Sequence, residues 1–386
     1  MKTSICAIGA LLLTTAPVFA GGIARSDQSV GILFEEGKNY VELSYGRVRP
    51  EVSGSFVGRN PLTGAPVRVN ISDVAGNHYL PGIRYKTEIN DKVSVAFIYD
   101  HFYGADIAYE GDPARTVLGG TRAKVNSQGF TFLARYKFDD NWSVHGGIRA
   151  SKADASVTLS GLGYGPVFNG TNRTLNGYSA NLESDWGVGY AIGAAYERPE
   201  IAMRVALTYQ SKITHNFPTT ERLGAFAVST GTETEVVTPE SVTLDFQSGV
   251  APDTLVFGSV RWEHWTQMVT KPVFFDRATG GENLTDLSNS TTYTLGVGRK
   301  FNENWSGSVF ANYEKVGGGD EVSPLAPTNG YKGIGLAAVY SKDNMKITTA
   351  VRYLKLGDAK PTTSQPVAQM DDNYVVAAGI KVGFSF

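Results

Sequence analysis

The sequence contains one cysteine, Cys6, among its 386 residues. This scarcity excludes a disulfide framework and a thiolate metal site. After residue 20 the chain also lacks any apolar run of the 18 or more residues that a spanning helix requires. Lys and Arg number 35 against 37 Asp and Glu, so there is no basic excess for binding nucleic acid. No cofactor or metal is expected, because no metal-ligand spacing joins the five histidines His78, His101, His145, His215 and His264.

What the sequence does contain begins with an export signal. Residues 1–20 combine Lys2, an apolar run and a small residue, Ala20, before Gly21, which is typical of a signal peptide. Residues 21–38 show no clear period but hold enough apolar side chains to pack, and we predict that they form a short N-terminal plug. The remaining residues, 39–386, are predicted to form a barrel.

The last stretch of the chain carries the clearest strand pattern. From Tyr374 to Phe386 every even position is apolar, whereas the odd positions include small and polar residues such as Lys381 and Ser385. Successive side chains of a strand point to opposite faces, so one face of this strand is continuously apolar. A membrane barrel explains such a strand, because lipid covers the apolar face and the terminal aromatic lies at the interface.

Thirteen further segments show the same period of two between turn residues. In chain order, these predicted strands cover residues 40–48, 79–86, 93–99, 130–138, 142–149, 186–196, 201–209, 242–246, 254–265, 293–297, 305–313, 334–340 and 345–353. The closing strand brings the count to fourteen, and single-chain bacterial outer-membrane barrels have even numbers of strands.

The connections between these strands alternate between short and long. Those after even-numbered strands are a few residues, and those after odd-numbered strands are much longer. Two short turns repeat each other, with aromatic residues on either side of an acidic turn at residues 138–143 and 301–306. We therefore predict an all-β fold, a transmembrane antiparallel β-barrel of about 14 strands that is integral to the bacterial outer membrane, with short periplasmic turns and long outer loops.

Charged residues of both signs are predicted to face the barrel interior. One interpretation is a network of paired charges. The other is that some cations contact an anionic substrate, with Arg84, Arg149 and Arg204 as candidates. The full predicted set is Arg84, Arg135, Arg149, Arg204, Lys212, Lys346, Arg352, Lys381, Asp100, Glu183, Asp185, Glu197, Asp245 and Glu314.

Two patterns suggest enzyme chemistry and are weak. Residues 333–338 have the glycine spacing of a dinucleotide fingerprint, but they lie within a predicted strand, and the fingerprint requires a helix that opens on it. Ser143 and His145 share the inward face of the fifth strand, which leaves a lipid hydrolase as an alternative, although polar lining of the interior is the simpler interpretation. We expect the protein not to be an enzyme.

The third predicted strand leads into the segment Tyr99 to Glu110, YDHFYGADIAYE, in which an aromatic residue directly precedes Gly104. This segment resembles the third-strand segment of the FadL-type outer-membrane transporters of long-chain fatty acids and other hydrophobic compounds, in which an aromatic-glycine pair lies where that strand kinks inward. Further similar segments are residues 207–217, 239–246 and 261–266. The Asn-Pro-Ala segment that is common in the family's plug is missing here, which leaves the gating arrangement open.

The resemblance implies passive uptake of long-chain fatty acids or similar hydrophobic molecules. In the family, substrate binds in a groove between outer loops, passes to a pocket in the barrel and leaves sideways at the kinked strand. Carried over, Phe102, Tyr103 and Gly104 would form the kink, although a strand glycine also suits a bulge. The apolar outer-loop residues would bind substrate, or they could pack on each other: Leu162, Tyr164, Val167, Phe168, Phe217, Leu223, Phe226 and Val228.

The expected partners are a hydrophobic small molecule and the lipid and lipopolysaccharide of the outer membrane. Fatty acids, aromatic hydrocarbons and other apolar compounds all suit the loops, and no oligomeric state is preferred. A general diffusion porin is the main alternative function, and the lipid hydrolase is the second.

Overall fold

Strands dominate the fold of this protein. The computed structural model describes residues 22–59, 66–170, 174–316 and 318–386, so the predicted signal peptide lies outside the described residues. The strands are β1 (Asn39–Glu51), β2 (Gly54–Arg59), β3 (Pro66–Ile71), β4 (His78–Glu88), β5 (Val93–Asp100), β6 (Gly104–Ala108), β7 (Arg122–Lys137), β8 (Trp142–Leu159), β9 (Tyr178–Arg198), β10 (Met203–Gln210), β11 (Thr214–Leu223), β12 (Phe226–Val237), β13 (Ser241–Ala251), β14 (Thr254–Glu263), β15 (Ser290–Lys300), β16 (Trp305–Val316), β17 (Glu321–Val322), β18 (Tyr331–Lys342), β19 (Met345–Leu356), β20 (Lys360–Pro361), β21 (Ala368–Met370) and β22 (Tyr374–Ser385).

The helical elements are small. One α-helix, α1 (Val273–Thr279), lies in the connection between β14 and β15, and short 3-10 turns cover Gly31–Phe34, Leu162–Tyr164, Pro199–Ile201 and Trp265–Gln267. Within the part of the chain that the structure describes, no helix has the length and apolar character needed to cross a membrane.

Fourteen strands form a closed barrel wall, each antiparallel to both neighbours. They are β1, β4, β5, β7, β8, β9, β10, β13, β14, β15, β16, β18, β19 and β22. The first and last strands close the ring in continuous register, from the pair Tyr40 and Ser385 to the pair Glu51 and Tyr374. Closure removes the open sheet edges that hydrocarbon could not hydrogen-bond. The predicted fold class and the number of wall strands are confirmed.

The outer face of the wall is apolar, as the alternation predicts. In β22, Val376, Ile380 and Phe384 are exposed on the outside, whereas Lys381 is buried inside. The same holds around the ring, where aromatic side chains of neighbouring strands meet on the outside, for example Tyr45 with Tyr79 at 6.3 Å between ring centres. Contact between these apolar side chains and water would be energetically unfavourable, and a lipid environment accounts for their exposure.

Two of the short turns share one hydrogen-bonding arrangement. In the turn after β7, the Asp139 carboxylate accepts hydrogen bonds from the backbone N–H groups of Asn141 at 2.8 Å and Trp142 at 2.7 Å. The turn after β15 repeats this, with Asn302 as the acceptor for Asn304 and Trp305. Asp and Asn side chains stabilise tight turns in this way because they replace a backbone acceptor. The repeated sequence of the two turns therefore has a common structural cause.

Several wall strands continue beyond their predicted ends, and there the pattern of faces inverts. In the lower part of β8, Ile148 faces outward and Arg149 inward, whereas further up Ser156 is exposed and Val157 contacts an apolar cluster on the inside. The upper parts of the strands project past the lipid, so their outer face meets water and their inner face encloses apolar groups. Because of this inversion, the predicted strand ends too early at β8 and begins too late at β7 and β9.

The structure corrects other details of the sequence prediction. Trp265 does not belong to the ninth wall strand, which ends at Glu263; it lies in a 3-10 turn and is fully buried. Lys212 and Glu183 do not face the interior, because both are exposed where the chain has left the lipid-facing part of the wall. The connections also contain unpredicted strands, notably the hairpin β11–β12 above the wall.

The N-terminal segment, residues 22–38, packs against the inner face of the barrel. Val30, Ile32 and Leu33 form one buried cluster with inward-facing residues of β5, β7 and β9, among them Ile98 and Leu133. Backbone carbonyls of the segment also accept hydrogen bonds from the buried Lys86 ammonium group. The division of the chain into residues 1–20, 21–38 and 39–386 stays a prediction.

Candidate functional site

An apolar cavity lies at the long-loop end of the barrel, inside the upper parts of the wall strands. The space not filled by atoms, including the part that is open to solvent, is about 890 Å³. Its wall side comes from the inverted faces of the strands, with Ala123 and Val125 on β7, Ala153 and Val157 on β8, and Leu182 on β9. We call this space the apolar cavity.

The connections between wall strands close the apolar cavity from above and from the side. The hairpin β11–β12 contributes Phe217 and Val236, the connection from β14 to β15 contributes Met268 and Leu284, and the segment before β18 contributes Leu325. Ile23 of the N-terminal segment and Tyr103 complete the lining from below. These residues also form one continuous buried cluster with the fully buried Trp265.

The predicted apolar loop residues gather above and around this cluster. Phe217 and Leu223 are buried within it, and Tyr164, Phe168 and Val228 pack against it. Leu162 and Val167 are each 47% exposed and Phe226 is 62% exposed. The Phe168 and Phe226 rings lie 6.1 Å apart, edge to face, so the two long loops meet. The structure thus brings the two predicted groups together, with some members buried and others facing solvent.

The third wall strand is interrupted at residues 101–103. β5 ends at Asp100, which pairs with Gly129 of β7, and β6 begins at Gly104, which pairs with Asn126. The interrupted strand therefore carries one residue more than β7 across this interval, as in a bulge. Phe102 and Tyr103 are both buried, with 1% and 5% of their surfaces exposed.

A glycine on the neighbouring strand accommodates this interruption. A Cβ atom built on Gly129 would overlap the ring of Phe102, so the absence of a side chain there creates the space that the ring occupies. Gly129 was not among the residues predicted from the sequence. A glycine inside a predicted strand, with an aromatic residue on the next strand, could have indicated this contact.

At the interruption, β4 and the third strand are not paired with each other over part of the barrel wall. The pairing of β4 with β5 ends at Ile83 and Tyr99, whereas β4 continues along β1 to His78. Above the opening, the bridge between Ala75 and Ile107 joins the two sides again. We call the interval between this bridge and the pair Ile83–Tyr99 the wall opening.

A second cavity, with about 520 Å³ of empty space, lies at the wall opening. Its lining combines inward-facing groups such as Arg84 and Asp100 with Tyr45 and Ile380, whose side chains are largely exposed on the outside of the barrel. The cavity therefore lies beside the part of the wall where β4 and the third strand are not paired.

The N-terminal segment is hydrogen-bonded to the interruption. The Arg25 N–H donates to the Phe102 carbonyl at 2.9 Å, and the Gly104 N–H donates to the Ile23 carbonyl at 2.8 Å. Ile23 lines the apolar cavity and Arg25 lines the cavity at the wall opening. This segment thus lies between the two spaces and contacts the residues that separate them.

The three predicted cations all lie inside the barrel and contact other protein groups. Arg84 lies 3.7 Å from the Glu42 carboxylate. Arg149 donates to the Ser211 carbonyl at 3.3 Å and also hydrogen-bonds Gln28. Arg204 donates to Gln247 at 3.2 Å. Their contact with substrate stays a prediction.

The two enzyme-like patterns form no catalytic arrangement among the described residues. The His145 Nε2 atom lies 2.9 Å from the Thr208 hydroxyl, and the Ser143 hydroxyl accepts a hydrogen bond from Arg135, so no described hydrogen bond joins Ser143 to His145. Residues 333–338 lie inside β18. Among the residues that the structure describes, no group of three or more side chains could hold a metal ion.

Comparison with known proteins agrees with this architecture. Residues 34–316 match the family model described as outer membrane protein transport protein (OMPP1/FadL/TodX). The structure is similar to that of a Pseudomonas aeruginosa FadL homologue, with 14% identity, 92% of each chain covered and a TM-score of 0.69. It is also similar to the Pseudomonas putida toluene transporter TodX, with 12% identity, 96% of each chain covered and a TM-score of 0.62. Among curated proteins, no sequence matches.

A third similar structure is the Ralstonia pickettii toluene transporter TbuX, with 13% identity, 96% of this chain and 92% of that chain covered, and a TM-score of 0.60. The closed fourteen-strand barrel and its apolar outer face define the class as an integral outer-membrane transport barrel. Because the family model matches well over half of its length, the chain belongs to the OMPP1/FadL/TodX family. That family consists of outer-membrane transport channels for hydrophobic compounds, and the resemblance seen in the sequence is confirmed.

Proposed function

We propose that this protein takes up long-chain fatty acids or similar hydrophobic molecules passively and releases them laterally into the outer membrane through the wall opening. The observation that carries the proposal is the position of residues 101–103. Tyr103 lines the apolar cavity, and His101 lines the cavity at the wall opening. A three-residue interruption of one strand thus separates a hydrophobic binding space from an exit through the wall.

Capture begins at the outer loops in this proposal. The exposed side chains of Leu162, Val167 and Phe226 offer apolar surface at the long-loop end, directly above the buried cluster that surrounds the apolar cavity. An apolar molecule gains free energy when it leaves water for such a surface, by about 25 cal/mol for each Å² of apolar area removed from water. It then moves inward to the apolar cavity, where the area removed from water is larger.

Release requires a local movement at the third strand. Phe102, Tyr103 and Gly104 form the kink in this proposal, and the N-terminal segment holds them through two backbone hydrogen bonds. A small displacement of this segment would join the apolar cavity to the wall opening. Lateral release suits an apolar substrate, because the lipid on the outer side of the wall dissolves it better than the aqueous periplasm does. Each step is a binding equilibrium and requires no catalysis.

The test is uptake by cells that lack their own fatty acid transporter, with and without this protein in the outer membrane, for labelled oleate and labelled toluene. The matched variants are A155F, which fills the apolar cavity, and S156F, which places the same ring on the outer, solvent-facing side of β8. We expect saturable uptake of at least one compound, a large loss in A155F and retention in S156F. The proposal would be overturned if cells take up neither compound although heat-modifiable migration shows that the protein is folded.

A general diffusion porin is not favoured, because Val30, Ile32 and Leu33 of the N-terminal segment pack inside the barrel and the inward-facing Glu42 carboxylate pairs with Arg84 and Lys381 on the two adjoining strands. A steady, large ion conductance of the purified protein in planar bilayers would contradict this.

A further inference from the structure

Resting on the proposed function, we propose that His215 and Ser151 form a hydrogen-bonding anchor inside the apolar cavity, which selects uncharged apolar molecules that carry one hydroxyl group, such as alkylphenols. Both residues line the cavity. Both are almost completely buried, with 1% of His215 and 0% of Ser151 exposed. Such polar groups inside an apolar space need a partner, since an unpaired buried polar group destabilises the protein.

The Ser151 hydroxyl and the Nε2 atom of His215 have no hydrogen-bond partner within the described parts of the chain. Both are buried and make no such bond, whereas the Nδ1 atom of His215 faces the Asp185 carboxylate. Other hydroxyl groups of the cavity differ in this respect. Ser127 accepts from the Tyr103 N–H at 2.7 Å, and Thr285 donates to the Met268 carbonyl at 2.7 Å. Ser151 and His215 therefore keep hydrogen-bonding capacity for a ligand.

The two groups lie on one face of the sheet. Ser151 of β8 pairs with Gly187 of β9, and a Cβ atom on Gly187 would lie 3.2 Å from Cε1 of His215. The imidazole therefore lies close to Gly187, together with the Ile213 side chain, on the face that carries the Ser151 side chain. Its ring also stacks on Phe217, with ring centres 5.2 Å apart and an interplanar angle of 12°. This stacking fixes the orientation of the imidazole.

Asp185 determines which ring nitrogen of His215 carries the proton. The Asp185 carboxylate is held by the backbone N–H of Asn216 at 2.9 Å and lies 3.6 Å from Nδ1 of His215. Its negative charge favours the proton on Nδ1, which leaves Nε2 as an acceptor. Burial lowers the pKa of His215, with Asp185 opposing that shift, so the imidazole is neutral near neutral pH. A neutral acceptor beside a serine hydroxyl matches a ligand O–H, which both donates and accepts.

The charges around the cavity favour an uncharged ligand over an ionised one, so within the proposed function they favour uncharged hydrophobic molecules over ionised fatty acids. No Lys or Arg occurs among the described residues that line it, and its one carboxylate is Asp154. A carboxylate transferred from water into this space would lose its hydration without gaining a cation, and Asp154 would repel it. A phenol is uncharged near neutral pH and loses only the hydrogen bonds that Ser151 and His215 can replace.

Three probes with the same tolyl body test this inference: toluene, p-cresol and p-toluate, titrated by calorimetry into the full-length protein in detergent. The variants are H215F, which retains an aromatic ring over Gly187, and S151A. S308A is the control, because Ser308 is also a buried serine with an unpartnered hydroxyl among the described residues, but it lies outside the apolar cavity.

In the wild type we expect p-cresol to bind and p-toluate not to bind. In H215F the affinity for p-cresol relative to toluene falls about tenfold, and S151A gives a smaller loss in the same direction, as expected when a buried hydrogen-bonding group loses its partner. The affinity for toluene changes less than about twofold, since toluene makes no hydrogen bond. The S308A control behaves as the wild type.

Three results would overturn the inference. The first is that the ratio of the affinity for p-cresol to the affinity for toluene is the same in the wild type, H215F and S151A. The second is that p-toluate binds more tightly than p-cresol. In both cases toluene binding and uptake persist, so the proposed function stands. The third is that none of the probes binds and no hydrophobic compound is taken up, which overturns the proposed function together with this inference.

Discussion

The guanidinium group of Arg149 lies over the ring of Phe102, with 4.8 Å between its central carbon and the ring centre. Arg149 belongs to the rigid wall strand β8, whereas Phe102 belongs to the interruption of the third strand. The cation–π contact adds to the apolar burial of the ring, and the Gly129 backbone lies against the ring from β7. The residues that separate the apolar cavity from the wall opening are thus held by two neighbouring strands.

Replacing Phe102 with alanine should destabilise the barrel by about 3 kcal/mol, because it removes a large, fully buried side chain. The wall should still close, since β5 and β7 pair below the interruption. The measurement is urea unfolding followed by heat-modifiable migration. The control is F132A, which truncates a phenylalanine that is 56% exposed on the lipid side of β7. A smaller loss in F102A than in F132A would contradict the packing described here.

Replacing Gly129 with alanine should displace the Phe102 ring, and its effect on uptake should equal that of F102A. Because both substitutions act on one contact, the double variant F102A/G129A should match F102A alone rather than sum the two effects. Uptake of labelled oleate or toluene is measured for the wild type, the two single variants and the double variant. Additive effects of the two substitutions would show that Gly129 does not act through Phe102.

Replacing Gly104 with valine should impair uptake and leave barrel assembly intact. A Cβ atom at this position would lie 3.2 Å from Cγ and Nε of Arg25 and 3.2 Å from the Val125 carbonyl oxygen. The branched side chain therefore pushes against the N-terminal segment, which hydrogen-bonds the interruption. The control is G319V, at a loop glycine where a Cβ atom would meet only the Glu321 nitrogen at 4.0 Å. Normal uptake by G104V would argue against a role of the kink in release.

Deleting residues 22–34 should raise the ion conductance of the barrel severalfold. The deletion removes Val30, Ile32 and Leu33 from the inner face, together with the Phe34 ring that lies 4.4 Å from the guanidinium carbons of Arg135 and Arg204. Water and ions would then replace them among the inward-facing charges. Single-channel recording in planar bilayers measures the change. An unchanged conductance would contradict the predicted plug function of this segment.

The turn at Asp139 should stabilise the barrel in a pH-dependent way. The N–H groups of Trp142 and Asn141 lower the pKa of the Asp139 carboxyl. A carboxyl whose pKa is lowered by folding stabilises the protein fully above its ordinary pKa of about 3.9, and this contribution is lost as the pH falls through the lowered value. The difference in thermal unfolding temperature between the wild type and D139N should therefore shrink as the pH falls from neutral to strongly acidic. The equivalent turn at Asn302 provides the control, because N302A should show the same difference from the wild type at every pH.

Much of the wall could be predicted because one physical contrast repeats along it. Wherever lipid lies on one side and the barrel interior on the other, apolar and polar residues alternate, as in β22 from Val376 to Phe384. The pattern failed where the surroundings changed. Glu183 and Lys212 have the spacing of interior residues but lie above the lipid, where the outer face of the chain is wet.

The candidate site was predictable only in part. The aromatic and glycine residues at positions 102–104 were found through a family resemblance, and the apolar loop residues through their unusual composition. Gly129, His215 and Ser151 were not found, because each matters through a neighbour distant in sequence. Gly129 faces Phe102 across a strand pair, and His215 covers Gly187 from a hairpin above the wall.

The sequence alone determined the class of this protein, because strand periodicity and the alternation of short and long connections depend on local order and on the contrast between lipid and water. Tertiary structure decided the form of the proposed binding space and of the proposed exit. The apolar cavity combines inverted strand faces with a hairpin, a loop and Ile23, and the wall opening exists because the pairing of β4 with β5 stops at Ile83 and Tyr99. Such features depend on which strands are neighbours and in what register, and residue order along one strand does not contain that information.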